Sequence, residues 1–212
     1  MKRVLLLSQL AAALALTAVL APTANSAPAQ HSISALWRFS DGSVVEGASS
    51  QLTRTDSGIS LSQQTSAPAG HAVTVWWVIF NNPENCAGAP GVPTRCAEPD
   101  LFNPAVEASV QYAAGHVVGA AGAHRVGSYL SEGDTTNCPF EAFGEGFLCA
   151  GLIDARKADV HLVVRTHGPK LTAFMPGQIK SFEVACTPES SLGLGDGPNT
   201  CVDIQFAAHE TA

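Results

Sequence analysis

The chain has 212 residues, 11 Lys and Arg against 18 Asp and Glu, and a formal net charge of −7. Such an acidic, Lys-poor chain lacks the cationic footprint that nucleic acid or an anionic lipid surface needs, so neither is expected as a partner. The length favours one domain with a real hydrophobic core.

The first residues read as an export signal. Lys2 and Arg3 precede an apolar run from Val4 to Leu20, and Ala24-Asn25-Ser26 places small residues where a signal peptidase needs them. The expected division is a signal peptide over 1–26, cleaved after Ser26, and a single domain over 27–212. An uncleaved membrane anchor is the competing form, but the Ala-rich core is short for a span. No later stretch is apolar for long enough to cross a membrane, so stable insertion after cleavage is not expected, and the destination is a periplasm or the cell exterior.

Taken in order, the chain then reads as short strands and turns. From Ile33 to Phe39 the pattern has period two, with Ile33, Ala35, Trp37 and Phe39 on one side. Gln51–Thr55 and Ile59–Gln63 flank Asp56-Ser57-Gly58 as a hairpin. His71–Phe80 is the strongest strand. Val73, Val75, Trp77 and Ile79 share one face and Trp76, Val78 and Phe80 the other, so it is expected to be central and covered on both sides. Val106–Tyr112 reads as a strand or a helical turn. His116–Gly119 and Ala123–Leu130 read as a second hairpin. Ala158–Pro169 is a β-branched strand ended by Gly168-Pro169. It sets Val160, Leu162, Val164 and Thr166 on one face and His161, Val163, Arg165 and His167 on the other. Gln178–Ala185 and Cys201–Ala208 complete the set as strands, the second with its odd-numbered polar residues outward. Many short strands and no helical period predict an all-β fold, an antiparallel β-sandwich with long disulfide-stapled loops.

Six cysteines in an exported chain imply three disulfides, for which fifteen pairings exist. The cysteines come as three close pairs, each bracketing a loop-like stretch. This favours Cys86 with Cys96, Cys138 with Cys149, and Cys186 with Cys201. A zinc site is disfavoured, because no C-x-x-C occurs.

Residues with chemical potential are few. No G-x-S-x-G, H-E-x-x-H or phosphate-binding glycine loop is present, so no catalytic residue is assigned. His161 and His167 lie on one strand face, but six residues of extended chain hold them roughly 20 Å apart. A metal site would have to recruit His71, His116, His124 or His209 as well. The bland reading makes His161 a buried, hydrogen-bonded core residue and places His167 in the turn. Arg165 is expected to meet Asp159, Glu107 or Asp203. Glu132, Asp134, Glu141 and Glu145 are a candidate calcium loop without the D-x-D-x-D-G spacing. Trp76 or Trp77 is a candidate sugar-stacking platform, against the alternative of core packing. No cofactor is assigned beyond that candidate metal.

The hairpin Leu52–Leu61, the Ala69-Gly70-His71 start of the long strand, and the strand from Val160-His161 to Gly168-Pro169 resemble the CHRD (chordin-type) domain over about residues 40–185. That family typically carries H-x-H, whereas here His161 stands within the strand and His167 at its end. The resemblance implies a secreted β-sandwich with a binding or structural role toward a protein or glycan, and no established reaction.

Overall fold

The computed structural model describes residues 27–89, 94–140 and 146–211. The signal-peptide segment and two of the acidic loop residues, Glu141 and Glu145, lie outside the described residues. The fold is all-β, built from two antiparallel sheets. Strands β1 (Gln30–Ser34), β3 (Ser49–Thr55), β4 (Gly58–Ser66) and β7 (Ala123–Ser131) form one, in the order β1-β3-β4-β7. Strands β2 (Trp37–Arg38), β9 (Val202–His209), β8 (Asp159–Pro169), β5 (His71–Phe80) and β6 (Ala108–Val117) form the other, in the order β2-β9-β8-β5-β6. Among the described residues no helix is long and apolar enough to cross a membrane.

The alternation of β5 organises the interior. Val73, Val75, Trp77 and Ile79 join Val160, Leu162 and Val164 of β8 and meet Leu52, Ile59, Leu61 and Leu130 from the facing sheet. Trp76, Val78 and Phe80 point the other way, into a second cluster with Val110 of β6 and with Val106, Phe140 and Leu148 supplied by the connecting segments. The five-stranded sheet is thus covered on both faces at β5, as its two apolar faces require. The β3–β4 hairpin also forms as expected, with Thr55 paired to Gly58.

Four local expectations are corrected. The alternating stretch from Ile33 to Phe39 is broken at Ala35-Leu36, where the chain leaves one sheet for the other. Leu36 therefore fills the core, while Ile33 is 75% exposed. The segments around His116 and Ala123 are not a hairpin: β6 pairs with β5 and β7 with β4, and the turn between them passes from sheet to sheet. Gln178–Ala185 is not a strand. The side-chain amide of Gln178 bonds the backbone at His167, Pro169 and Leu171, Ser181 Oγ accepts from Glu183 and Val184, and the backbone folds into short turns. The faces of β9 switch within the strand: Asp203 faces outward beside Arg165 as expected, but the residues after it do not keep that parity. A bulge between Val164 and Arg165 shifts the β8–β9 register, so Gln205, Ala207 and His209 point into the interior.

All three disulfides close local loops: Cys86–Cys96, Cys138–Cys149 and Cys186–Cys201. Each is expected to add about 3 kcal/mol by restricting the unfolded chain. Non-reducing digestion followed by mass mapping should give three separate bridged peptides, and a peptide joining Cys86 to Cys186 would overturn the assignment.

Candidate functional site

The outer face of the five-stranded sheet carries a row of large side chains. The register aligns Trp37 with Phe206, Phe206 with Val163, Val163 with Trp76, and Trp76 with Tyr112. The two ends of this row have different fates. At the β5–β6 end Phe182 packs edge-on to Trp76 at 5.6 Å and Phe140 packs against Phe182 at 4.8 Å. Trp76 is left 2% exposed. At the β2–β9 end no loop ring among the described residues other than Phe39 packs against the row. Trp37 stacks on Phe206 with centroids 5.6 Å apart and planes at 29°, and Phe39 lies 4.9 Å from the same ring. Phe39 is 50% exposed, and Trp37 and Phe206 are half-buried. Strand β2 is two residues long and forms the sheet edge, so this strip faces outward.

Of the two readings of Trp76 and Trp77, core packing holds and the candidate platform does not. Trp77 is fully buried between the sheets, and Trp76 is buried under the loops, where its indole N–H donates to Thr74 Oγ1 at 2.8 Å. Both serve the core, as buried aromatics with a satisfied polar tip do. Among the described residues Trp37, Phe39 and Phe206 form an accessible aromatic cluster, while the exposed rings of Phe102 and Tyr129 lie elsewhere.

The structure gives the histidines separate partners. His161 Nε2 lies 3.2 Å from Thr94 Oγ1, and its ring meets Phe80 edge-on at 4.9 Å. His167 Nε2 accepts from Thr74 Oγ1 at 2.9 Å, and its Nδ1 donates to Val184 O at 3.3 Å beside Cys186 Sγ. The Val184 carbonyl, which can only accept, fixes that tautomer by placing the proton on Nδ1. His71 Nδ1 lies 2.9 Å from Thr166 Oγ1, and His209 bonds Ser32 Oγ and Ser50 Oγ at 2.8 and 2.9 Å. His116 faces His124. Among the described residues the only three metal-type ligands gathered in one place are His167, Cys186 and Cys201, and the two sulfurs are joined in the disulfide. His161, His167, His71 and His116 are not brought into one cluster.

Charged groups are likewise paired. Arg165 meets Asp203 at 2.9 Å, with its guanidinium 3.9 Å over the Phe182 ring, so Asp203 is the carboxylate among the three expected candidates. Asp159 instead takes two bonds from Arg95, at 2.8 and 2.9 Å. Glu107 accepts from Asn82. Asp134 holds the turn at Thr136, and Glu132 accepts from the Ala155 amide, so these two carboxylates serve loop geometry. A cleft of about 490 Å³ opens where Arg95, Arg156 and Lys157 face Glu84 and Glu210, with Arg54 at its base.

Sequence reasoning passed over Arg54 and the Trp37–Phe39–Phe206 strip. A parity signal existed for both. Arg54 shares the inward face of β3 with Leu52, and Trp37 and Phe39 stand two residues apart on one face. No family model, curated protein or solved structure matches the chain. What the geometry defines is a class: a disulfide-stapled all-β protein of two antiparallel sheets with an open aromatic strip at one sheet edge.

Proposed function

We propose that the chain is an exported, non-catalytic binding module whose ligand stacks on the strip formed by Trp37, Phe39 and Phe206. The observation that carries this reading is the contrast along one row of the outer face: loops bury its Trp76 end and leave its Trp37 end to solvent. Exposed contiguous apolar surface on a stapled domain marks a contact site. The chemistry fits a glycan. Flat aromatic rings take the C–H face of a sugar ring, and hydroxyls find polar groups in the adjoining turn, where Arg38, Asp41 and Ser43 stand in one hydrogen-bonded cluster. Export is supported by the basic-apolar-small pattern at 1–26 and by the complete use of cysteine in disulfides. The resemblance to CHRD-type domains points the same way.

Titration of the protein with a panel of oligosaccharides, read by tryptophan fluorescence, tests the reading. At least one glycan should shift the emission of Trp37. Phe39→Ala should weaken that glycan by about tenfold or more, an effect of about 1.4 kcal/mol, with the melting temperature near that of wild type because Phe39 is half in solvent. No response to any glycan, or equal affinity in Phe39→Ala, would overturn it.

A further inference from the structure

Ala27, Pro28 and Ala29 precede β1 and are exposed, yet the polar backbone atoms of the first two are all held by side chains. The Ala27 N–H donates to Asp56 Oδ2 at 3.2 Å. The Arg156 guanidinium donates from Nη2 to Ala27 O and from Nη1 to Pro28 O, both at 3.0 Å. Its Nε donates to Asp56 Oδ1 at 2.5 Å, which closes the ring. The two side chains come from different sheets. Asp56 sits in the β3–β4 turn, and Arg156 in the turn ahead of β8, where its own amide donates to Asp154 Oδ1 at 2.9 Å. The β1–β3 register brings the backbone to them. Gln30 pairs with Arg54, so two residues further out Pro28 is level with Asp56.

A carboxylate oxygen aimed at one backbone nitrogen, beside a guanidinium that holds the carbonyl of the same residue, is fit to receive the free amino end of a chain. On the reading of the chain as exported, we propose that Asp56 and Arg156 form a binding site for the protein's own new amino terminus, Ala27, released when an export-linked endopeptidase hydrolyses the Ser26–Ala27 bond. One water is consumed. Its hydroxyl goes to the Ser26 carbonyl carbon and two protons reach the Ala27 nitrogen, leaving a carboxylate and an ammonium. Before cleavage the Ala27 nitrogen offers Asp56 a neutral N–H; after it, an ammonium, so the same contact becomes a charge-assisted bond. The site also chooses between two cleavage points. Small residues stand correctly for cleavage after Ser26 and after Ala29. Cleavage after Ala29 removes both carbonyls that Arg156 holds and the nitrogen that Asp56 Oδ2 holds, whereas cleavage after Ser26 keeps all three.

The test expresses the full chain in a bacterial host and reads the exported protein by intact mass and amino-terminal sequencing. Its first residue should be Ala27. Exported protein that begins at Gln30 or elsewhere overturns the site and leaves export standing. Protein kept in the cell with residues 1–26 attached overturns the export reading and the processing step together. The pairing is then read on the chain that begins at Ala27. Acetylation of its amino terminus keeps an amide N–H on Ala27 but removes the charge, and should lower the melting temperature by about 2 °C at low salt. The difference should vanish at about 1 M salt. It should also vanish in Asp56→Asn, whose free and acetylated forms should melt together; the Asp56 side chain is 49% exposed, so this variant folds. Equal melting of the free and acetylated wild type at low salt, or an undiminished difference in Asp56→Asn, overturns the pairing.

Discussion

Between pH 6.5 and about 4 the protein is expected to lose most of its stability. His161, His167 and His209 are held neutral in the fold. Burial pushes each from 6.5 down to about 4, with Arg165 adding to the effect at His167 and Arg54 at His209, and with Asp159 opposing it at His161. In the unfolded chain each regains its ordinary value. Above 6.5 neither state binds these protons and the stability is complete. Between 6.5 and about 4 the unfolded chain binds them and the folded chain does not, so stability falls as pH falls. Below about 4 both states are protonated and these groups contribute no further loss. Three such groups give a slope of at most about 4 kcal/mol per pH unit, which within two units is comparable with the whole stability of a domain, about 5–15 kcal/mol. Melting temperatures measured from pH 7.5 to pH 4 should drop steeply and monotonically. A flat profile over that range would show that the three imidazoles are not buried and neutral.

The parts of the fold that were legible in the sequence are those where a short-range signal and a tertiary demand agree. β5 has two large apolar faces and can only be central, and both faces are covered. The cysteines bracket short loops, and the pairing follows. Two of the misread parts share one cause: parity was carried across a point where the backbone changes direction. The break at Ala35-Leu36 moves the chain between sheets, and the bulge after Val164 turns Gln205 and His209 inward. The turn between His116 and Ala123 looks like any hairpin turn in sequence, and only the sheet partners show that it joins two layers. The site was harder to read for a related reason. Trp76 and Trp37 lie in the same row of the same face, and what separates buried from open is the position of Phe182, which comes from a loop.

Replacement of Arg54 is expected to be among the most damaging single changes in the chain. Its guanidinium, 3% exposed, reaches from β3 in one sheet to the carbonyls of Ala155 and Ala158 ahead of β8 and of His209 at the end of β9, at 2.8, 2.7 and 2.8 Å. One side chain thus satisfies three acceptors and ties the two sheets at a point where both strand ends would otherwise leave carbonyls bare. Burial lowers its pKa from 12.5 to about 10 against the favourable field of Asp159, so it stays charged at neutral pH. Asp159 is itself buried and held by Arg95 and by the Thr211 amide. Arg54→Met keeps the aliphatic stem but removes the donors from three acceptors at once. The expected loss is about 3–5 kcal/mol, read as a lower denaturant midpoint at unchanged m-value. Arg54→Lys keeps the charge but not the fork geometry and should fall between the two. A second readout separates this role from simple loss of packing. The positive charge of Arg54 helps to hold His209 neutral, so in Arg54→Met the His209 imidazole should titrate closer to 6.5 and the acid-side slope of stability should become shallower. Equal stability and an equal slope in Arg54→Met and wild type would show that the arginine does not join the sheets.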